Sequence, residues 1–300
     1  HPAMTRIGEL GEDPLVERLT GLLPVGPEVV VGPGDDCAVV AGKGRGTVEL
    51  LKTDCLVEGV HYTLEAPAGR VGWKAVARVV SDFAAMGGEP RHFLITVALP
   101  PDREVAWVEQ LYRGMNKCAV RFGATIVGGE TSSVPRGAPG MISVAATGVA
   151  ARQRIVLRSG GKPGDEIFVT GRRGGSLAGR HLKFVPRLKE ALWLTKRFRL
   201  RAMMDLSDGL AKDLPRLARA SGCGYVLEHQ SIPCHRGIGI DGALSDGEDY
   251  ELLFTVSPQT AKRLQASWSE AFPKLRLSRI GSLVDGVARE LPGGWDHFGG

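Results

Sequence analysis

Arg158-Ser159-Gly160-Gly161-Lys162-Pro163-Gly164-Asp165 divides this 300-residue chain. Glycine and proline fill half of the stretch, so neither a helix nor a strand can run through it, while periodic apolar segments resume on both sides. We place a domain boundary between residues 150 and 164, giving an N-terminal domain over 5–150 and a C-terminal domain over 151–300. Moving back from the boundary, Met141 to Thr147 and Ala124 to Val127 read as strands. A helix precedes them, with the stripe Val105, Val108, Leu111 or Tyr112, Met115, Ala119 and Phe122, and Asp102 is expected to cap it. Before that come a strand at His92 to Leu99, a helix at Gly72 to Met86, strands at Val48 to Leu51 and Val29 to Val31, and an amphipathic stretch through Leu15, Leu19 and Leu22. Forward of it, Glu166 to Thr170 starts a second half with strands at Tyr225 to Leu227, Glu251 to Val256 and Leu277 to Val284. Helices are expected after Asp208 and from Pro258 to Ala271. Strands adjoin strands too often for a doubly wound parallel sheet, so the expected class is α+β, two domains with mixed sheets.

Composition narrows the function classes. Hydrophobic residues make up 43% and charged residues 24%, which suits a globular chain. The 41 glycines and 18 prolines follow no collagen period and form no low-complexity tract. No apolar run approaches the roughly 20 residues that a bilayer requires, and His1-Pro2-Ala3-Met4 lacks the basic and apolar regions of a signal peptide. We therefore expect a cytoplasmic protein without a membrane partner, and read residues 1–4 as an expression remnant. The five cysteines, Cys37, Cys55, Cys118, Cys223 and Cys234, are scattered and suggest neither disulfides nor zinc. The net charge of +5 is concentrated in Arg180 to Arg201, where eight basic residues face the single acid Glu190. That segment reads as a solvated helix face, or else as a local attractor for a phosphorylated ligand. Without aromatic interleaving it gives no case for nucleic acid.

Acidic residues recur beside glycine at the ends of expected strands: Asp35-Asp36, Asp54, Asp82, Glu130, Asp205 with Asp208, and Glu248-Asp249. Each pair alone is ordinary turn material, but a convergent set of carboxylates is tolerable only when cations neutralise it. Mg²⁺ is the economical candidate, because it takes oxygen ligands and is commonly shared between carboxylates and substrate phosphates. Neither a Walker A sequence, a kinase catalytic loop nor a G-x-S-x-G elbow is present. Gly171 to Ser176 reads either as a plain loop or as an anion-binding turn.

Six stretches then match a family: Gly32 to Ala38 (GPGDDCA), Lys52 to His61 (KTDCLVEGVH), Ser81 to Gly88 (SDFAAMGG), Arg158-Ser159-Gly160, Met204 to Leu210 (MDLSDGL) and Gly247 to Phe254 (GEDYELLF). Together they resemble the thiamine-monophosphate kinases over almost the whole chain. The Gly-Asp-Asp and Ser-Asp-Gly-Leu pieces are shared with relatives that make aminoimidazole ribonucleotide or selenophosphate, whereas the Lys52–His61 and Gly247–Phe254 stretches are more specific.

The resemblance implies an ATP-dependent kinase that converts thiamine monophosphate to the diphosphate, the last step of thiamine diphosphate biosynthesis, with several Mg²⁺ ions. It also implies a homodimer whose N-terminal ATP- and Mg-binding domains pair through their sheets, with an α/β C-terminal domain packed against each. By position, Asp35, Asp36, Thr53, Asp54, Asp82, Glu130, Asp205 and Asp208 correspond to metal ligands. Tyr112, Gly129, Glu130, Arg154 and Ser207 fall at ATP-contacting positions, and His61, Glu248 and Trp295 at those meeting thiamine monophosphate. Glu130 stands where the family usually has Asp, and Asp246 where it has glycine. His92, His181, His229 and His235 show no metal spacing and are expected to be structural. The mechanism implied is direct in-line phosphoryl transfer. A phosphate nucleophile is already ionised near neutral pH, so no dedicated catalytic base is expected. A different ATP-dependent relative and a non-catalytic nucleotide-binding protein are the alternative readings.

Overall fold

The computed structural model describes residues 6–298, so the expected remnant at residues 1–4 lies outside the described residues. The N-terminal half runs α1 (Ile7–Leu10), α2 (Glu12–Thr20), β1 (Val29–Val31), β2 (Ala38–Ala41), β3 (Thr47–Val57), α3 (Ala68–Ala85), β4 (Glu89–Leu99), α4 (Val105–Arg121), β5 (Thr125–Ser133) and β6 (Met141–Ala151). Its six strands lie in the order β1-β2-β3-β6-β4-β5, and only the β4–β5 pair is parallel. The second half adds β7 (Glu166–Thr170), α5 (Leu188–Arg197), β8 (Ala202–Asp205), α6 (Leu210–Ala220), β9 (Gly224–Leu227), α7 (Ile240–Ser245), β10 (Leu252–Val256), α8 (Pro258–Ala271) and β11 (Leu277–Val284). Its five strands are ordered β8-β10-β7-β11-β9 with every pairing antiparallel, so only the first sheet mixes directions. The architecture is α+β with two sheets.

Helix α3 links the halves. Fifteen of its eighteen residues are buried, as expected of a helix enclosed on all sides rather than lying on a surface. It packs on the first sheet, on α4, and on α5 and β8 of the second half. The approach to α4 depends on glycine: a Cβ at Gly72 would sit 2.0 Å from the Leu111 carbonyl oxygen, and one at Gly114 would sit 2.0 Å from that of Gly69. One face of the first sheet is thereby covered, with Phe93, Ile95 and Val97 fully or almost fully buried. Leu51, Leu94 and Val127 on its other face stay exposed.

Asp102 does not cap α4, because the helix begins after Glu104 and no side chain caps it. The basic stretch forms only the ten-residue α5, preceded by two single turns of 3₁₀ helix. Among the described residues no helix is long and apolar enough to cross a membrane, and all five cysteines are free.

Candidate active site

A cavity of about 400 Å³ lies where the two halves meet, lined by ten carboxylates against four basic side chains. Alternation along β3 places Lys52 and Asp54 on the face turned towards α3. Helical spacing on α3 places Lys74, Arg78, Ser81 and Asp82 along one stripe. The loop between β1 and β2 supplies Asp35 and Asp36, and the end of β8 supplies Asp205, with Ser207 and Asp208 following. A second loop, Gly247 to Tyr250, closes over these: the Glu248 amide donates to the Ser207 carbonyl at 2.6 Å and the Tyr250 amide to the Leu206 carbonyl at 2.8 Å. Glu248 and Tyr250 adopt φ of 52° and 49°, a left-handed backbone uncommon for residues with side chains.

Asp36, Asp82 and Asp205, all buried, each bring a carboxylate oxygen within 4.8 Å of the other two. Burial and like charge push two of them up: Asp205 to about 7, by burial and then Asp36, and Asp82 well above the usual range despite Lys52 at 3.1 Å. Asp35 rises to about 6 through burial and Asp36. One oxygen of Asp36 is buried without a hydrogen-bond partner. A crowded, oxygen-only donor set with an unused buried acceptor fits a hard divalent cation such as Mg²⁺. Three guanidiniums frame the set. Arg158 donates to Asp36 at 2.5 Å, Arg78 spans both oxygens of Asp54 at 3.1 Å, and Arg216 joins Asp13, Asp208 and Asp213 at 2.7, 2.5 and 3.3 Å.

A second charged cluster sits beside the first. Lys74, with no exposed surface, donates to Glu248 at 2.8 Å, to the His61 carbonyl at 2.7 Å, and lies 2.7 Å from His181 Nδ1. Burial lowers Lys74 to about 8. Burial works the other way on Glu248, but His181 and Lys74 outweigh it and hold the carboxyl down at about 2. The His61 ring accepts from the Val57 amide at 3.0 Å through Nδ1, which leaves the proton on Nε2; that atom is buried without a partner. Burial, then Arg78, lowers His61 to about 4, so the ring is neutral. Trp295, 45% exposed, flanks the opening, its amide donating to the Asp208 carbonyl at 2.8 Å.

Of the residues singled out from the sequence, Asp35, Asp36, Asp54, Asp82, Asp205, Ser207, Asp208, His61, Glu248 and Trp295 all line this cavity. Five do not. Thr53 points to the opposite face of the sheet, in a shallow groove with Leu51, Leu94 and Val127. Glu130 pairs with Thr96 on β4, and Gly129 with the buried Ile95, so strand alternation puts Glu130 on that same open face. Tyr112 is half-buried on α4 against the core, and Arg154 is exposed in the turn after β6. Lys74 escaped sequence reading, and His181, expected to be structural, proves to be a partner of Glu248 and Lys74 beside the cavity. The signal available for Lys74 was a basic residue, followed at four-residue steps by Arg78 and Asp82, on a helix whose other residues are mostly apolar.

Two family models match the chain: the AIR synthase related protein N-terminal domain over residues 34–150 and the corresponding C-terminal domain over 162–290. The thiamine-monophosphate kinase of Rhodopirellula baltica is 33% identical over 276 residues, 86% of this chain and 84% of its own length. That of Aquifex aeolicus is 32% identical over 98% of this chain and the whole of its own. This chain belongs to the thiamine-monophosphate kinase family. A solved structure in that family, AaThiL complexed with AMPPCP and TMP, superposes with a TM-score of 0.84 at 32% identity, covering 98% of this chain and 99% of the other. The hydrogenase maturation protein HypE in complex with ATP shares the fold at 20% identity, with a TM-score of 0.67. Within this family fold, most of the acidic cavity's lining lies on the stretches that carried the sequence resemblance, joined by Glu12, Asp13, Arg78, Arg216, Trp295 and others from outside them.

Proposed function

We propose that this thiamine-monophosphate kinase family member transfers the γ-phosphoryl group of ATP to the phosphate of thiamine monophosphate, producing thiamine diphosphate. The observation that carries the reading is the buried convergence of Asp36, Asp82 and Asp205 beside a neutral His61 and an ionised Glu248. Attacker and donor are both anionic, so their mutual repulsion is the main barrier, and Mg²⁺ held by these carboxylates with Asp54 and Asp208 supplies the neutralising charge. The side chains do the rest. His61 offers its unused Nε2–H to the substrate, Glu248 sets a fixed negative charge against the cationic thiazolium, and Trp295 covers the opening. Ser207 faces the nucleotide, and no side chain has to remove a proton.

The open face of the first sheet is the second part of the reading. A second copy of the chain covers Leu51, Leu94 and Val127, forming a homodimer. Thr53 and Glu130 lie on that same face, and we assign them, with Gly129, Tyr112 and Arg154, to a nucleotide and metal site completed by pairing. Incubating purified protein with ATP, Mg²⁺ and thiamine monophosphate tests the activity directly, and failure to form the diphosphate under saturating substrates sinks it. Sedimentation tests the pairing: a dimer is expected at micromolar concentration, and a monomer for Leu94→Lys.

A further inference from the structure

A second cavity, of about 650 Å³, shares no lining residue with the acidic one. It opens between the turn after β7, the segment leading into α5, the end of α8 and the start of β11, and its volume suits a small ligand. The charge is inverted here: Arg172, Arg187, Lys274 and Arg276 line it against one acid, Glu251. Glu251 is already committed, accepting from Arg187 Nε at 2.7 Å and Nη2 at 2.5 Å and from the Thr170 hydroxyl at 2.6 Å. Among the described residues, no carboxylate lies within 4 Å of the charged nitrogens of Arg172, Lys274 or Arg276. Both free guanidiniums are anchored. Arg172 Nη1 donates to the Cys234 carbonyl at 3.1 Å and Arg276 Nε to the Ser278 hydroxyl at 3.0 Å, leaving the remaining N–H groups of each planar fork unused.

Like charges gathered in a concavity repel one another and focus a positive potential into it. His235 at the edge responds accordingly: burial first, then Arg180 and Arg172, hold its imidazole below the ordinary range. Trp268 and Phe272 supply an apolar wall, and the indole N–H is occupied by the Leu275 carbonyl at 2.7 Å. Of the basic stretch from Arg180 to Arg201, only Arg187 reaches this cavity, where it serves as the fixed partner of Glu251.

We propose that this cavity is a second, metal-independent anion site that takes a small phosphorylated polyanion of the diphosphate class, gripped by Arg172, Arg276 and Lys274. Three uncompensated cations call for more than the single charge of a carboxylate, whereas one phosphate group already carries about −1.5 to −2 near neutral pH. The site is independent of the kinase reading, because neither cavity borrows a residue from the other.

The test is calorimetric titration of the full-length protein with inorganic diphosphate in EDTA, where no divalent cation draws anions to the carboxylates. Saturable one-to-one binding is expected, weakened about tenfold or more in the double variant Arg172→Ala/Arg276→Ala, the loss anticipated for two charge-assisted contacts. Both side chains are exposed, so the variant should melt with the wild type. Absence of saturable heat overturns the proposal, as does undiminished affinity in the double variant. Citrate binding as tightly as diphosphate overturns the phosphate assignment.

Discussion

Two clusters of buried charge lie side by side at the junction of the halves, and they are built on opposite terms. Lys74, Glu248 and His181 satisfy one another within 2.7 to 3.1 Å, and the outcome is an ionised carboxylate held at about 2. Asp36, Asp82 and Asp205 crowd within 4.8 Å without enough basic partners, and burial drives Asp82 and Asp205 upwards instead. A self-sufficient cluster is set in place by folding and meets a ligand already ordered, whereas an unbalanced one is completed only by a ligand.

The largest break in this contrast should come from Asp82→Asn or Asp54→Asn. Turnover at saturating Mg²⁺ should fall by about three orders of magnitude or more, with unchanged circular dichroism, since charge is removed from a cation site and not from packing. Near-normal turnover would remove the residue from the metal site. Lys74→Met should act through stability instead, costing about 3 kcal/mol in urea denaturation because the largely enclosed Glu248 carboxylate loses its lysine partner and keeps only His181 as a close basic partner. The double variant Lys74→Met/Glu248→Gln should recover most of that loss without recovering thiamine monophosphate binding. If the single variant is as stable as wild type, the cluster is not self-sufficient.

Acid sharpens the distinction. Glu248 takes up its proton near 4.5 in the unfolded chain but only near 2 in the folded one, so its stabilisation is complete above 4.5 and disappears as pH falls through that window. Between about pH 5 and about pH 3 the wild type should therefore lose more stability than Glu248→Gln, measured by urea melts at each pH. The smallest effect concerns Glu130, outside both clusters. Glu130→Ala should raise the apparent ATP or Mg²⁺ requirement by about tenfold or less and leave that for thiamine monophosphate unchanged, while Glu130→Asp keeps or improves activity. Unchanged ATP dependence in Glu130→Ala would place the residue outside the nucleotide site.

What could be read in advance followed from local chemistry. Glu166–Thr170, Pro258–Ala271 and Leu277–Val284 occur with the expected bounds, because a β-rich run, a proline in the first helical turn after the Ser257 cap, and a strand between turns are signals contained in a few residues. The strand Ala38–Ala41 was missed because it is short and adjoins the Asp35-Asp36 turn. β5 continues through Gly128-Gly129-Glu130, poor strand formers that parallel pairing with β4 holds extended. Ten of the fifteen residues singled out converge on one cavity, because acids beside glycine at strand ends mark where loops meet a ligand. Their basic partners, Lys52, Arg78, Arg158 and Arg216, were illegible: long side chains pair across elements distant in sequence, and only the tertiary fold decides which acid each meets.

The left-handed backbone at Glu248 and Tyr250 has a bearing on selectivity. Each residue sits there at an intrinsic cost of about 1–2 kcal/mol, sustained by hydrogen bonds from the two amides to the Ser207 and Leu206 carbonyls and by the stacking of Tyr250 on Phe184 at 4.1 Å. The freedom that a mobile loop would surrender on meeting its ligand has already been surrendered in folding, so association carries little ordering entropy. Rigidity also removes forgiveness. If Glu248 faces the thiazolium as proposed, a molecule whose cationic ring lies an ångström out of place meets a carboxylate that cannot follow it, and near-analogues are turned away by geometry instead of being accommodated.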